Sequence, residues 1–213
     1  MNIIDLTHLI STDMPVYPGT EKPKLTPATT IEKDGFRETL LTMFSHTGTH
    51  MDTPGHLLPD AAMLDELSAD SFIGSALVID CRELGEGDTV PLSRITDYGE
   101  AAEKAEFLLF NFGWDKYWND EKYFGNYPYL GDDAVDYIIA HKKKGVGLDV
   151  IGIDPISDAA LTIHKKLFRS GNIVVIENLC NLDKIGEGLF TFTALPLKYE
   201  NSDGAPVRAI AIK

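Results

Sequence analysis

Three of the six histidines in this 213-residue chain fall within Ser45-His46-Thr47-Gly48-Thr49-His50-Met51-Asp52-Thr53-Pro54-Gly55-His56. A helix would put His46 and His50 on one face, but Gly48, Pro54 and Gly55 disfavour a helix there. In an extended chain side chains alternate. His46, Gly48, His50 and Asp52 then share one side, with Gly48 leaving room between the imidazoles. Two nitrogens and a carboxylate around one point, with a position left for water, is the donor set of a catalytic zinc site. Such a set also accepts manganese. His56, beyond the Pro54-Gly55 turn, is either a further ligand or a group that moves protons just outside the metal. The second role is preferred, because imidazole titrates near neutrality. His8 and His141 lack such company and read as structural.

These groups need a scaffold. Short apolar runs predict strands over Ile3–Leu6, Leu40–Phe44, Ala76–Asp80, Phe107–Phe112, Val150–Asp154, Ile173–Glu177 and Val207–Ile212. Helices are expected over Asp132–Lys144, with acids first and lysines last, and over Ala159–Arg169, after the capping pair Ser157-Asp158. Without repeats or long linkers, the whole of residues 1–213 reads as a single mixed α/β domain built on a mixed sheet with flanking helices. Several apolar runs end in a polar side chain: Asp80, Asn111, Asp154 and Glu177. A carboxylate continuing a buried strand is costly unless a cation or donor meets it; the plainer alternative is a strand end reaching solvent or a neighbouring loop.

The formal charge of −14 argues against nucleic-acid binding, which needs a basic patch. The one basic run, Lys142-Lys143-Lys144, reads as a solvated helix end. Cys81 and Cys180 are too few for a disulfide framework and read as reduced and buried. No apolar stretch approaches the roughly 20 residues that span a bilayer, and Met1-Asn2-Ile3-Ile4-Asp5 lacks the pattern of a signal peptide. A soluble, cytoplasmic protein that acts on a small molecule is the expectation.

The pattern His46-x-Gly48-Thr49-His50-x-Asp52-x-Pro54-x-His56 resembles, at every fixed position, the hallmark of the cyclase/kynurenine-formamidase family of metal hydrolases. Weaker matches follow in the expected order: Met14-Pro15-Val16-Tyr17-Pro18-Gly19, Asn111-x-Gly113-Trp114, Gly152-Ile153-Asp154, then His164 and Glu177-Asn178-Leu179. The resemblance implies that His46, His50 and Asp52 hold one divalent ion, zinc foremost with manganese as the alternative. It implies that Asp52 and Glu177 bridge to a second ion also bound by His164, and that His56 donates and accepts the proton. It further implies a barrel-like, swivelling β/β/α fold and a homodimer or homotetramer. One position departs: dedicated kynurenine formamidases carry tryptophan in their Pro-Val-Trp-Pro-Gly stretch, where it contacts the aromatic substrate, and here Tyr17 stands there, an aromatic with a hydroxyl. Hydrolysis of a non-peptide C–N bond in a small formamide or amide is therefore expected. The alternatives are a cyclic-imide (isatin-type) hydrolase or lactonase, and a non-catalytic metal-binding protein. The last is disfavoured because closed structural zinc sites prefer cysteine.

Overall fold

Twelve strands form in the computed structural model, which describes residues 1–213. They are β1 (Ile3–Asp5), β2 (Lys24–Thr29), β3 (Glu38–Thr42), β4 (His50–Asp52), β5 (Ile73–Asp80), β6 (Thr89–Val90), β7 (Phe107–Asn111), β8 (Tyr129–Leu130), β9 (Gly145–Leu148), β10 (Val174–Glu177), β11 (Phe190–Pro196) and β12 (Gly204–Ile212). Eight make one sheet in the order β1-β12-β11-β5-β7-β9-β10-β4. A further pairing of β4 with β12 closes the seven strands from β12 to β4 into a barrel, leaving β1 as an outer edge. The run β5-β7-β9-β10 is parallel and the remaining pairings are antiparallel, which gives the mixed sheet that was expected. The β2–β3 hairpin stands outside the barrel.

Alternation along the strands sorts the core into two clusters. Met51, Ala76, Phe107, Leu109, Val174, Ile176, Phe192 and Ala209 fill the barrel. Leu77, Ile79, Leu108, Phe110, Val146 and Val175 point outward and are covered by Val135 and Ile138 of the helix Asp132–Ala140 and Leu167 and Phe168 of the helix Thr162–Arg169. Both faces of β7 are buried for this reason. The barrel is narrow, so large rings alternate with small residues. A Cβ on Gly145 would lie 2.8 Å from Phe107, and one on Gly147 would lie 2.6 Å from Leu109.

Those inward glycines explain one difference from expectation. Val150–Asp154 is not a strand; the ladder runs instead through Gly145–Leu148, whose glycines break the apolar run that marks a strand. The helix expected over Asp132–Lys144 stops at Ala140. Lys143 is not solvated but buried, its Nζ donating to the carbonyls of Ala102, Glu103 and Ala105 at 2.6, 2.9 and 2.6 Å. It satisfies the carbonyls left open where the helix Glu100–Lys104 ends. The second helix starts at Thr162 rather than Ala159, because Asp158 first bonds the N–H groups of Ala160 and Thr162. Cys81 and Cys180 are free and buried as expected, and no helix is long and apolar enough to cross a membrane.

Candidate metal centre

The short strand that closes the barrel, His50–Asp52, carries two of the candidate ligands. Met51 of β4 points into the barrel core, so His50 and Asp52 face outward. Across the antiparallel ladder Glu177 of β10 is registered opposite His50, and Val175 opposite Asp52. Directly opposed residues share a face, so register alone brings Glu177 to the two motif residues. On the other flank Gly204 of β12 is registered with Asp52. Its missing side chain makes room for His46: a Cβ there would lie 2.4 Å from the His46 ring.

The extended reading of the motif holds only over His50–Asp52. Gly48 takes a left-handed conformation, φ +68°, and the space it leaves faces Ile10 and Met14 rather than the imidazoles. The bend still delivers His46 to the same side as Asp52. His46 Nδ1 lies 2.6 Å from Asp52 Oδ1, and His50 Nε2 lies 3.3 Å from that oxygen. His164, in the first turn of its helix, places Nε2 3.3 Å from Asp52 Oδ2 and 3.3 Å from Glu177 Oε1. His50 Nε2 is 3.5 Å from Glu177 Oε2. Candidate ligand atoms of His46, His50 and Asp52 thus converge within 4.8 Å, as do those of Asp52, His164 and Glu177, with Asp52 common to both groups. Imidazole and carboxylate donors so arranged, nearly all buried, fit divalent zinc or manganese.

The electrostatics agree with that fit. Burial works against a charge on each imidazole, yet the neighbouring carboxylates outweigh it. His46 is pushed up to about 9, chiefly by Asp52, and His50 and His164 are also raised. Burial likewise opposes ionisation of Asp52, but His50, His46 and His164 hold it well below the usual carboxylate range. A site that draws protons onto buried rings has the negative potential that suits a divalent cation. His56 behaves differently: burial holds it below the ordinary histidine value, leaving it neutral at neutral pH with a lone pair free. Its ring sits at the edge of the group, 4.1 Å from that of His46.

The site opens into a cavity of about 560 Å³ whose lining includes Val16, Tyr17, Phe44, Tyr127, Ile156 and Leu161. Tyr17 is there, half-exposed on the wall. The other polar strand ends divide as their surroundings dictate. Asp80 pairs with Arg82 at the surface, and Asn111 accepts from the Gly113 N–H, so neither takes part in the centre.

Sequence reasoning passed over one neighbour of the centre and left the roles of two others undefined. Asp203 lies 3.0 Å from His46 Nε2, but it sits in the polar loop Glu200-Asn201-Ser202-Asp203, where no local pattern distinguishes it. Asn178 donates to the Gly48 carbonyl at 2.8 Å, the same oxygen that His50 Nδ1 meets at 2.8 Å, so it fixes the orientation of His50. Asp154 bonds His164 Nδ1 at 2.5 Å, and its strand-like setting in the sequence concealed that use. His8 stacks on Trp118 with ring centroids 3.9 Å apart and belongs to none of the candidate ligand groups.

With this geometry in place, comparison with known proteins is informative. The sequence model of the Cyclase family matches residues 4–155. The chain is 29% identical over 208 residues to a kynurenine formamidase from Bacillus cytotoxicus, covering 97% of this chain and 95% of that protein. An isatin hydrolase solved with the product analogue thioisatinate superposes with a TM-score of 0.86 at 25% identity, over 98% of this chain and 91% of that one. A predicted metal-dependent hydrolase from Bacillus stearothermophilus superposes with a TM-score of 0.80 at 27% identity, over 99% and 97% of the two chains.

Proposed function

This chain belongs to the Cyclase family, and we propose that it is a metal-dependent hydrolase of non-peptide C–N bonds, acting on a small formamide or amide as an arylformamidase does. The observation that carries the reading is the convergence of three imidazoles and two carboxylates from two distant segments, with the His56 ring at its edge and a cavity above it. His46, His50 and Asp52 would hold one divalent ion, and Asp52, Glu177 and His164 a second. Zinc is favoured by the imidazoles, and manganese suits the carboxylates. When bound, such a cation supplies activation of water and polarisation of a carbonyl.

The chain's own groups account for the remaining work. Neutral His56 accepts the proton released by attacking water and returns it to the departing nitrogen. Tyr17, Phe44 and Ile156 offer an apolar wall for an aromatic substrate and exclude water around it. A cyclic imide such as isatin is the second reading. It is favoured by the match to a structure solved with an isatin-derived product analogue and by the same ring-sized wall.

Purified protein should contain one to two equivalents of zinc or manganese per chain. Metal-loaded protein should hydrolyse an aryl formamide or a cyclic imide faster than a lactone. Elemental analysis together with a three-substrate rate comparison checks both. No specific metal and no activity after adding any would refute the proposal.

Self-association belongs to the same reading. The β2–β3 hairpin exposes Leu40 and Leu41 on opposite faces, with Phe36 and Phe44 beside them, an apolar arm with no core behind it. A second copy of the chain is its proposed cover, in a homodimer or homotetramer. Sedimentation should show that oligomer for the wild type and a monomer for the Leu40→Glu, Leu41→Glu double variant. A monomeric wild type would remove the proposal. Two buried free thiols fit a cytoplasmic location.

A further inference from the structure

Two imidazoles of the centre each have a further carboxylate behind them, and the two supports are unlike. Behind His164 stands Asp154, 3% exposed and itself fixed by the N–H groups of Ile163 and His164 at 2.6 and 3.2 Å. Behind His46 stands Asp203, whose side chain keeps 41% of its area exposed. His46 turns Nδ1 to Asp52 and Nε2 to Asp203 Oδ2, 3.0 Å away. Lighter bonds hold Asp203: Ser45 Oγ donates to Oδ2 at 3.3 Å, and the Tyr199 hydroxyl to Oδ1 at 3.3 Å. The Gly204 backbone closes the slot on the other side of the ring, since any Cβ there would strike it.

A ligating imidazole is oriented by the bond its second nitrogen makes, and loss of such a partner costs about 10–100-fold in metal affinity. We propose that Asp203 is the positioning residue for the His46, His50, Asp52 position, and that this exposed support makes that position the weaker and exchangeable one of two. The inference rests on the metal-centre reading given above. Nothing in the sequence around Asp203 announces the role; the registration of Gly204 with Asp52 creates it.

Stepwise zinc titration of metal-free protein against a chromophoric chelator tests the assignment. The wild type should show two steps. Asp203→Asn should weaken the looser step about 10–100-fold and leave the tighter one in place, and Asp203→Glu should restore part of the loss. Asp154→Asn should weaken the tighter step instead. The melting midpoint of metal-free Asp203→Asn should match that of the wild type. Equal weakening of both steps with a lowered metal-free midpoint would mark a merely structural role and overturn the proposal. Two unchanged steps, or a single step in the wild type, would overturn it as well. No zinc uptake by the wild type would instead bring down the metal-centre reading itself, so the two failures are distinguishable.

Discussion

Glu177→Ala is expected to strip the centre of metal and lose turnover with it. Glu177 is 5% exposed, it accepts from the Ile153 N–H at 2.8 Å, and its two oxygens face His164 and His50. Its removal leaves Asp52 as the only carboxylate between three imidazoles and strands a buried donor. Breaking a buried charge pairing costs about 3–5 kcal/mol, equivalent to roughly 10²–10⁴-fold in metal affinity. Glu177→Gln keeps the shape and can keep the Ile153 bond, so it isolates the charge: metal content should fall with the fold intact. Glu177→Asp should fail too, because the shorter arm would draw its oxygens back from His164 and His50. Metal analysis and turnover measured on the same preparations decide the matter. Full metal and full activity in Glu177→Ala would leave only a centre built from the first motif.

His56→Ala should separate the two functions that Glu177 joins. His56 ends the short 3-10 turn Pro54–His56, and its Nδ1 lies 3.8 Å from Asp203; it groups with Asp203 and His46 at the rim, outside the two three-residue groups that share Asp52. The variant should keep its metal while kcat falls about 10²–10⁴-fold, the usual worth of general acid–base catalysis. KM should change little, because the histidine is needed for proton transfer rather than for holding substrate. His50→Ala is the comparison: it should lose metal and rate together. If His56→Ala releases metal as readily as His50→Ala, His56 is a ligand.

The centre was legible where its chemistry is compressed into neighbouring residues. His46, His50, Asp52 and His56 lie within one stretch, and their types in that spacing leave few other readings. Glu177 was legible because a carboxylate closing the run Val174-Val175-Ile176 is physically conspicuous. Strands β1, β5, β7, β10 and β12 announced themselves as apolar runs. Strand β9 did not, because Gly145 and Gly147 make way for Phe107 and Leu109, and that demand comes from strands distant in sequence. Nor did β11, although Phe190-Thr191-Phe192-Thr193 alternates as a half-buried strand should. Strand β4 has only three residues and no apolar run to mark it; only the alternation of His50, Met51 and Asp52 betrays its extended form. Lys143 reads as surface from composition alone; only the packed fold brings three open carbonyls to its ammonium group. Asp203 is legible only once a register is known.

The barrel has its seam at β4, hydrogen-bonded to β10 on one side and β12 on the other. Two of its three residues, His50 and Asp52, are candidate metal ligands, so closing the ring and assembling the centre are one event. Any cation held there is absent from the opened chain, and a ligand that binds only the closed form adds RT ln(1 + [L]/Kd) to its stability, about 4 kcal/mol when free metal exceeds Kd a thousandfold. Metal supply then sets how often this seam breathes. In a cell short of zinc or manganese, the protein would become not merely idle but easier to unzip and degrade, and its abundance would follow the metal that makes it useful.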